Sequence, residues 1–93
     1  MLAVQIRIYG NVQGVGFRSL VQRIARQSGV VGWVKNEDDG SVAALVEGKE
    51  EEIGEFAKRI GNIHNPFGPD IKKMEIKYKK EIENYTCADF LIA

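Results

Sequence analysis

The sequence predicts an α+β fold, a split βαβ sandwich in which one antiparallel sheet of four to five strands carries two helices on one face. Three observations support this. The 93 residues suffice for one hydrophobic core but not for two typical domains. Segments with period-two hydrophobicity alternate with segments of helical period in the order strand, helix, strand, strand, helix, strand. No linker or low-complexity tract interrupts residues 1–93, so we predict one domain.

The first strand is indicated by alternation near the N-terminus. Every second residue is large and apolar: Leu2, Val4, Ile6 and Ile8. This pattern is typical of a strand with one buried face, which we expect to end at Gly10 and Asn11. Because the segment alternates and contains Arg7, we predict neither a signal peptide nor a membrane span.

The first helix and a hairpin follow. Apolar or small residues recur with helical spacing at Phe17, Leu20, Val21, Ile24, Ala25 and Ser28. Gly29 is placed to cap that helix. Residues 30–36 and 41–48 are two β-rich runs, and the Asp39-Gly40 pair between them predicts a turn that needs positive φ.

The second half repeats the pattern. A helical stripe comprises Ile53, Phe56, Ala57 and Ile60. Acidic residues 50–52 lie at its start, where the helix dipole favours negative charge, and Gly61 with Asn62 is expected to end it. Residues 61–70 predict a loop, Met74, Ile76 and Tyr78 alternate in a further strand, and Phe90 with Ile92 predicts a short last one. This order is the ferredoxin-like arrangement.

Composition excludes several classes of function. Thirteen basic and thirteen acidic residues give a formal charge of zero, which argues against a nucleic-acid binder or a membrane-surface binder. One cysteine and one histidine cannot supply a structural zinc site. We therefore expect a cytoplasmic protein with no metal and no cofactor. No heptad pattern or long apolar edge is present, so a monomer is predicted.

The segment between the first strand and the first helix points to anion binding. It reads Gly-Asn-Val-Gln-Gly-Val-Gly-Phe-Arg from Gly10 to Arg18. Glycines let successive backbone N–H groups converge on an anion, and the helix N-terminus adds its positive dipole end. An arginine there is disfavoured by that dipole, whereas a phosphate bound bidentately would reverse the penalty. Alternatively, Gly14 and Gly16 make only a tight turn and Arg18 is a solvated surface residue. ATP binding is not predicted, because no Gly-Lys-Ser or Gly-Lys-Thr follows the glycines. NAD binding is not predicted, because the acidic residue of a dinucleotide-binding motif would need a parallel βαβ sheet, which this fold lacks.

A second polar group is predicted at the same sheet edge. In a split βαβ unit the first two strands run in the same direction, so Asn36 at the end of the second lies near the loop that ends the first. An uncharged amide can hold a water beside an anion. The alternative is an asparagine that only bonds its own turn. We assign no catalytic role to His64 or Cys87, and we expect Trp33 and Tyr9 in the core or on the sheet face.

These motifs together are specific enough to indicate a family. Val-Gln-Gly-Val-Gly-Phe-Arg, followed by Gly-Trp-Val-Lys-Asn ending at Asn36 and by Asp39-Gly40-Ser41-Val42, resembles the acylphosphatases over nearly the whole chain. The resemblance implies hydrolysis of the carboxyl-phosphate bond of acyl phosphates to carboxylate and inorganic phosphate, without metal or cofactor. It also implies that Arg18 binds phosphate and that Asn36 orients the attacking water. The positions that match the family's phosphate-binding loop are Val12, Gln13, Gly14, Val15, Gly16, Phe17 and Arg18.

Two departures from the family pattern bear on the site. Glu37 and Asp38 place negative charge beside Asn36, and we expect them to face solvent. The segment 61–69 is longer than the segment that the family usually has before the Gly68-Pro69 turn, so the family pattern does not predict the shape of this loop. Two other functions remain as alternatives: a non-catalytic phosphate-binding regulatory domain, and a piece of a larger carbamoyl-phosphate-processing protein. The terminal strand before Ala93 favours a stand-alone protein.

Overall fold

A computed structural model describes all residues, 1–93. Five strands and two helices follow one another in the predicted order. Their bounds are β1 (Leu2–Asn11), α1 (Phe17–Ser28), β2 (Val31–Asn36), β3 (Val42–Gly48), α2 (Glu50–Gly61), β4 (Asp70–Glu81) and β5 (Phe90–Ile92). The predicted split βαβ fold is confirmed.

The strands form one sheet in the order β4-β1-β3-β2-β5. Because β3 pairs antiparallel with both β1 and β2, those two strands run in the same direction and end at the same sheet edge. The prediction of a purely antiparallel sheet is wrong in one detail, since β5 pairs parallel with β2. Residues 82–89 carry the chain from β4 at one edge to the opposite edge, and this long connection allows the parallel pairing.

The core lies between the helices and one face of the sheet. It is a cluster of 17 buried residues that includes the predicted strand positions Val4, Ile6 and Ile8 and the aromatic rings of Phe17, Phe56 and Phe90. Burying one such aliphatic or aromatic side chain contributes roughly 1.5–3 kcal/mol. The opposite sheet face has no helix on it. Neither helix is long and apolar enough to cross a membrane.

The predicted alternation of apolar residues along β4 is wrong at Tyr78. Met74 and Ile76 lie opposite Ile8 and Ile6, on the helix side, but Tyr78 lies opposite Gln5, whose side chain points to the other face. A register shift between the partners of Gln5 and Ile6 causes this, because one extra residue reverses the side-chain alternation that follows it. Tyr78 is therefore exposed on the open face.

Gly32 is required by close approach of two strands. Its φ is +145°, and a Cβ built there would lie 1.8 Å from the carbonyl oxygen of Leu45 on β3. We expect Gly32→Ala to lower the free energy of unfolding by about 3 kcal/mol, because the strands must separate or the backbone must strain. Urea unfolding measures the change. Gly54→Ala is the matched control, since space is open around this residue of α2, and equal stability of the two variants would contradict the prediction.

A buried carboxylate holds the connection from β4 to β5. Glu47 is 1% exposed, and it accepts hydrogen bonds from Thr86 N at 2.9 Å and from Cys87 N at 3.1 Å. The Thr86 hydroxyl donates a third. Glu47 lies near the end of β3 that pairs with the start of β1, far from the ends of β1 and β2. The contact therefore fixes the connection that leads into β5. It does so at the end of the sheet opposite the ends of β1 and β2.

Glu47→Ala is expected to destabilise the fold by about 2–4 kcal/mol, because three donors lose a charged acceptor and a cavity is left in their place. Chemical unfolding at neutral pH measures the loss. Glu55→Ala serves as control, since Glu55 is exposed on α2 and forms no ion pair within 4.0 Å. A Glu47 variant as stable as the Glu55 variant would show that this hydrogen-bonded anchor is unimportant.

Candidate active site

The loop between β1 and α1 has the conformation that its glycines predict. Gly14 and Gly16 both have left-handed backbones, with φ of +75° and +74°. A Cβ at either residue would meet nothing within 4 Å, so conformation rather than crowding favours glycine here. No other residue of residues 12–16 has positive φ. Left-handed residues that alternate with right-handed ones can turn successive amides toward one side of a loop, and the two glycines permit this arrangement.

These amides have no backbone acceptor. No N–H of residues 13–19 donates to a backbone carbonyl, and the first such bond beyond them runs from Leu20 N to Gly16 O at 3.2 Å. Gly16 caps α1 without a side-chain hydrogen bond, and the first turn of the helix holds no acidic residue. The unpaired N–H groups and the positive end of the helix dipole make this terminus a site of positive potential.

Arg18 is the second residue of α1 and adds a full positive charge to that terminus. Its side chain is half-buried, and Nη1 donates to the carbonyl oxygen of Ala93 at 3.3 Å. No aspartate or glutamate carboxylate lies within 4.0 Å of the guanidinium. The remaining guanidinium donors are therefore available to an anion.

Asn36 and Arg18 line the same cleft. Its walls consist of Val12, Gly14, Gly16, Phe17, Arg18, Ser19, Asn36 and Ile92, and its volume is about 140 Å³. At about 30 Å³ per water in the liquid, this volume is that of a few water molecules, which is the size range of a small oxyanion. Asn36 is exposed, and its side chain forms no hydrogen bond within the protein. The predicted meeting of the loop and Asn36 at one sheet edge is thus present in the fold.

The turn after Asn36 directs its carboxylates away from the cleft. Glu37 does not turn fully to solvent, since its carboxylate lies 3.8 Å from Arg7 Nη2 and 3.9 Å from Lys35 Nζ. Asp39 accepts a hydrogen bond from Ser41 N at 2.9 Å and lies 3.7 Å from Arg7 Nη1. Hydrogen bonds from Ser41, foremost from its hydroxyl, lower the pKa of Asp39. This carboxylate therefore stays ionised on the open sheet face.

The segment 61–69 closes against the end of β1. Asn11 Nδ2 donates to the carbonyl oxygen of Gly68 at 2.8 Å, and His64 Nδ1 lies 3.2 Å from Asp70 Oδ1. Hydrogen bonds from Lys72 and then from His64 lower the pKa of Asp70. Phe67 at the tip of the loop is 97% exposed. His64 does not line the cleft that contains Arg18, and we assign it no part in the chemistry of that cleft.

A larger cleft lies elsewhere, between α2 and strands β1 and β4. Its volume is about 510 Å³, and its walls are mainly apolar side chains such as Ile53, Met74 and Ile76. It includes no arginine and no helix N-terminus free of acidic residues, because Glu50 opens α2. The smaller cleft is therefore the better candidate for anion chemistry. No group of three or more histidine, cysteine, aspartate or glutamate side chains is arranged to hold a metal ion.

Sequence reasoning missed two contributors to the cleft. Ser19 follows Arg18 in the first turn of α1, and its adjacency to the loop was a usable signal. Ile92 reaches the cleft because β5 pairs with β2 in parallel, with Ile92 opposite Val34 and with Ala93 N donating to Val34 O at 2.8 Å. Nothing local in the sequence reports that pairing.

Comparison with known proteins points to one family. A family model described as Acylphosphatase matches residues 4–92. The chain is 41% identical to an acylphosphatase of Mesorhizobium japonicum over 97% of this chain and 92% of that one. It is also 41% identical to an acylphosphatase of Archaeoglobus fulgidus, covering 91% of this chain and 92% of the other.

Solved structures show the same similarity. The crystal structure of acylphosphatase from Bacillus subtilis superimposes with a TM-score of 0.87 at 36% identity, covering 100% of this chain and 99% of that one. The crystal structure of T. kodakarensis HypF superimposes with a TM-score of 0.81 at 33% identity, and there the chain spans only 12% of the larger protein.

Proposed function

The chain belongs to the acylphosphatase family and is a hydrolase of acid anhydrides that acts on small acyl phosphates, and we propose that it does so through Arg18, Asn36 and the loop amides. The single observation that carries this proposal is the cleft of about 140 Å³, in which a helix terminus without a side-chain cap, a guanidinium and a neutral amide side chain meet. The first two attract a phosphoryl group, and the third is suited to hold a water beside it.

The proposed reaction is an in-line displacement at phosphorus. The backbone N–H groups of the loop and the guanidinium of Arg18 bind the three non-bridging oxygens and stabilise the charge that they carry in the transition state. Asn36 holds the attacking water opposite the bridging oxygen. The water oxygen bonds to phosphorus as the bond from phosphorus to the bridging oxygen breaks, which releases the carboxylate.

The leaving carboxylate needs no protein acid to protonate it, and the attacking water needs no protein base to deprotonate it. A carboxylate is a stable leaving group, since carboxylic acids have pKa values near 4, so it departs without protonation. One proton of the water passes to a phosphoryl oxygen, and dihydrogen phosphate and the carboxylate are the products. Two of the three carboxylates in the adjacent turn support this route, because Glu37 and Asp39 lie close to Arg7 on the open sheet face.

Benzoyl phosphate in the presence of a chelator tests the activity. We expect hydrolysis well above the uncatalysed rate, with inorganic phosphate as a competitive inhibitor and as a ligand that raises the unfolding temperature. Stabilisation by phosphate with hydrolysis only at the background rate would instead identify the regulatory anion-binding alternative. Absence of both effects in folded protein would contradict the assignment of the cleft.

We further propose that the chain is a monomer. The sheet has two edges, β4 and β5, and β5 is only three residues long. The longer edge, β4, carries exposed lysines at positions 72, 73, 77, 79 and 80, which oppose pairing with a second copy. Light scattering at micromolar concentration tests this, and a dimer mass would refute it.

A further inference from the structure

We propose that the side chain of Gln13 is a positioning residue, which ties the phosphate-binding loop to the β2–β3 turn and so sets the place of Asn36. This inference rests on the proposed function. It assigns a role to a side chain in a loop whose own contribution to binding is otherwise made by backbone N–H groups. Gln13 acts through Asn36 and not by contact with the substrate.

The geometry of the contact is specific. Gln13 Nε2 donates to the carbonyl oxygen of Glu37 and to that of Ser41, in both cases at 2.8 Å. The two acceptors belong to one turn, closed by Glu37 N donating to Ser41 O at 2.9 Å. Because both acceptors are carbonyl oxygens, the side-chain NH₂ group must face them, and each of its two hydrogens has one acceptor.

No other hydrogen bond joins the loop 12–16 to the turn 37–41. Arg7 also contacts the turn, through Ser41 Oγ at 3.2 Å, but it belongs to β1 and lies on the open sheet face. Asn11, which precedes the loop, donates instead to the carbonyl oxygen of Gly68 in the segment 61–69. Gln13 is therefore the direct link between the amides that would hold phosphate and the strand end that carries Asn36.

This link matters because the two halves of the site come from separate parts of the chain. Arg18 and the loop amides are set by the start of α1, whereas Asn36 is set by the last pair of the β2–β3 ladder, Asn36 with Val42. A water must lie in line with the bond that breaks, and displacements of about 1 Å cost as much as 100-fold in rate. Loss of the tie is expected to impair water placement more than phosphate binding.

Gln13→Met tests the tie, since methionine has a similar length and no donor. We expect kcat for benzoyl phosphate to fall about tenfold or more, while the Kd for inorganic phosphate changes by less than about threefold. Gln27→Met is the matched control. It removes a hydrogen bond between Gln27 Oε1 and Arg59 Nη2 at 2.7 Å, at the other end of α1, and is expected to leave kcat unchanged.

Gln13→Glu gives a readout that a merely structural role would not produce. An ionised carboxylate would face two carbonyl oxygens, so its pKa is raised, and only the protonated form can donate one hydrogen bond. The kcat of this variant relative to wild type should therefore increase as pH falls, whereas that of Gln13→Met should stay constant. A ratio that is independent of pH for both variants would count against the tie.

A double-mutant cycle separates this inference from the function on which it rests. If Gln13 acts through Asn36, Gln13→Met in an Asn36→Ala background causes no further loss of kcat. Multiplicative losses, or a Gln13→Met enzyme with the wild-type kcat, would overturn the positioning role while leaving the proposed function intact. Absence of turnover by the wild-type protein would overturn both.

Discussion

Arg18→Ala is expected to abolish turnover and to weaken phosphate binding severely. The guanidinium supplies the only side-chain cation lining the cleft, and it lies at a helix terminus that no acidic residue neutralises. Arginines that stabilise a transferring phosphoryl group contribute about 10³–10⁵ in rate, and we expect a fall in kcat/KM of about 10³ or more. Steady-state hydrolysis of benzoyl phosphate and a phosphate titration measure the two effects.

Arg23→Ala provides the matched control for this substitution. Arg23 lies on the same helix, is exposed and forms no ion pair, so its removal should leave both measurements unchanged. Stability should also be nearly unaffected by loss of Arg18, because its contact with Ala93 is long and exposed. An Arg18→Ala protein that kept its phosphate affinity would show that the loop amides alone hold the anion.

Asn36→Ala is expected to separate binding from catalysis. We predict a fall in kcat of about 10²–10³, the range observed when one polar group that stabilises a transition state is removed. The Kd for phosphate should change little, because Arg18 and the amides of residues 13–19 remain in place. Exposure of Asn36 and the absence of a hydrogen bond to its side chain predict no loss of stability.

Asn84→Ala is a suitable control, since Asn84 is exposed in the connection between β4 and β5 and lies outside the cleft. Near-normal kcat in the Asn36 variant would remove the water-holding role, and the proposed displacement would then need another group to place the nucleophile. An equal loss of phosphate affinity and of kcat would instead make Asn36 a binding residue.

Much of the fold follows from local chemistry. The alternation from Leu2 to Ile8 predicts β1, and Gly29 predicts the end of α1, where the structure has a left-handed residue with φ of +81°. Helix stripes and turn glycines are visible in sequence because each reflects contacts within a few residues. The faces of β4 were less predictable, since the register shift that turns Tyr78 outward depends on pairing with β1.

In the site, too, some features follow from the sequence alone and others only from the tertiary structure. The glycines at 14 and 16, the cation at 18 and the amide at 36 are properties of the sequence, and their residue types already point to a phosphoryl group. Only the tertiary structure decided that Ile92 joins them, that Arg7 draws the carboxylates of Glu37 and Asp39 to the open face, and that Gln13 bridges to the turn. These contacts join residues at least 24 positions apart in the chain, and strand order and register, rather than local preference, bring such residues together.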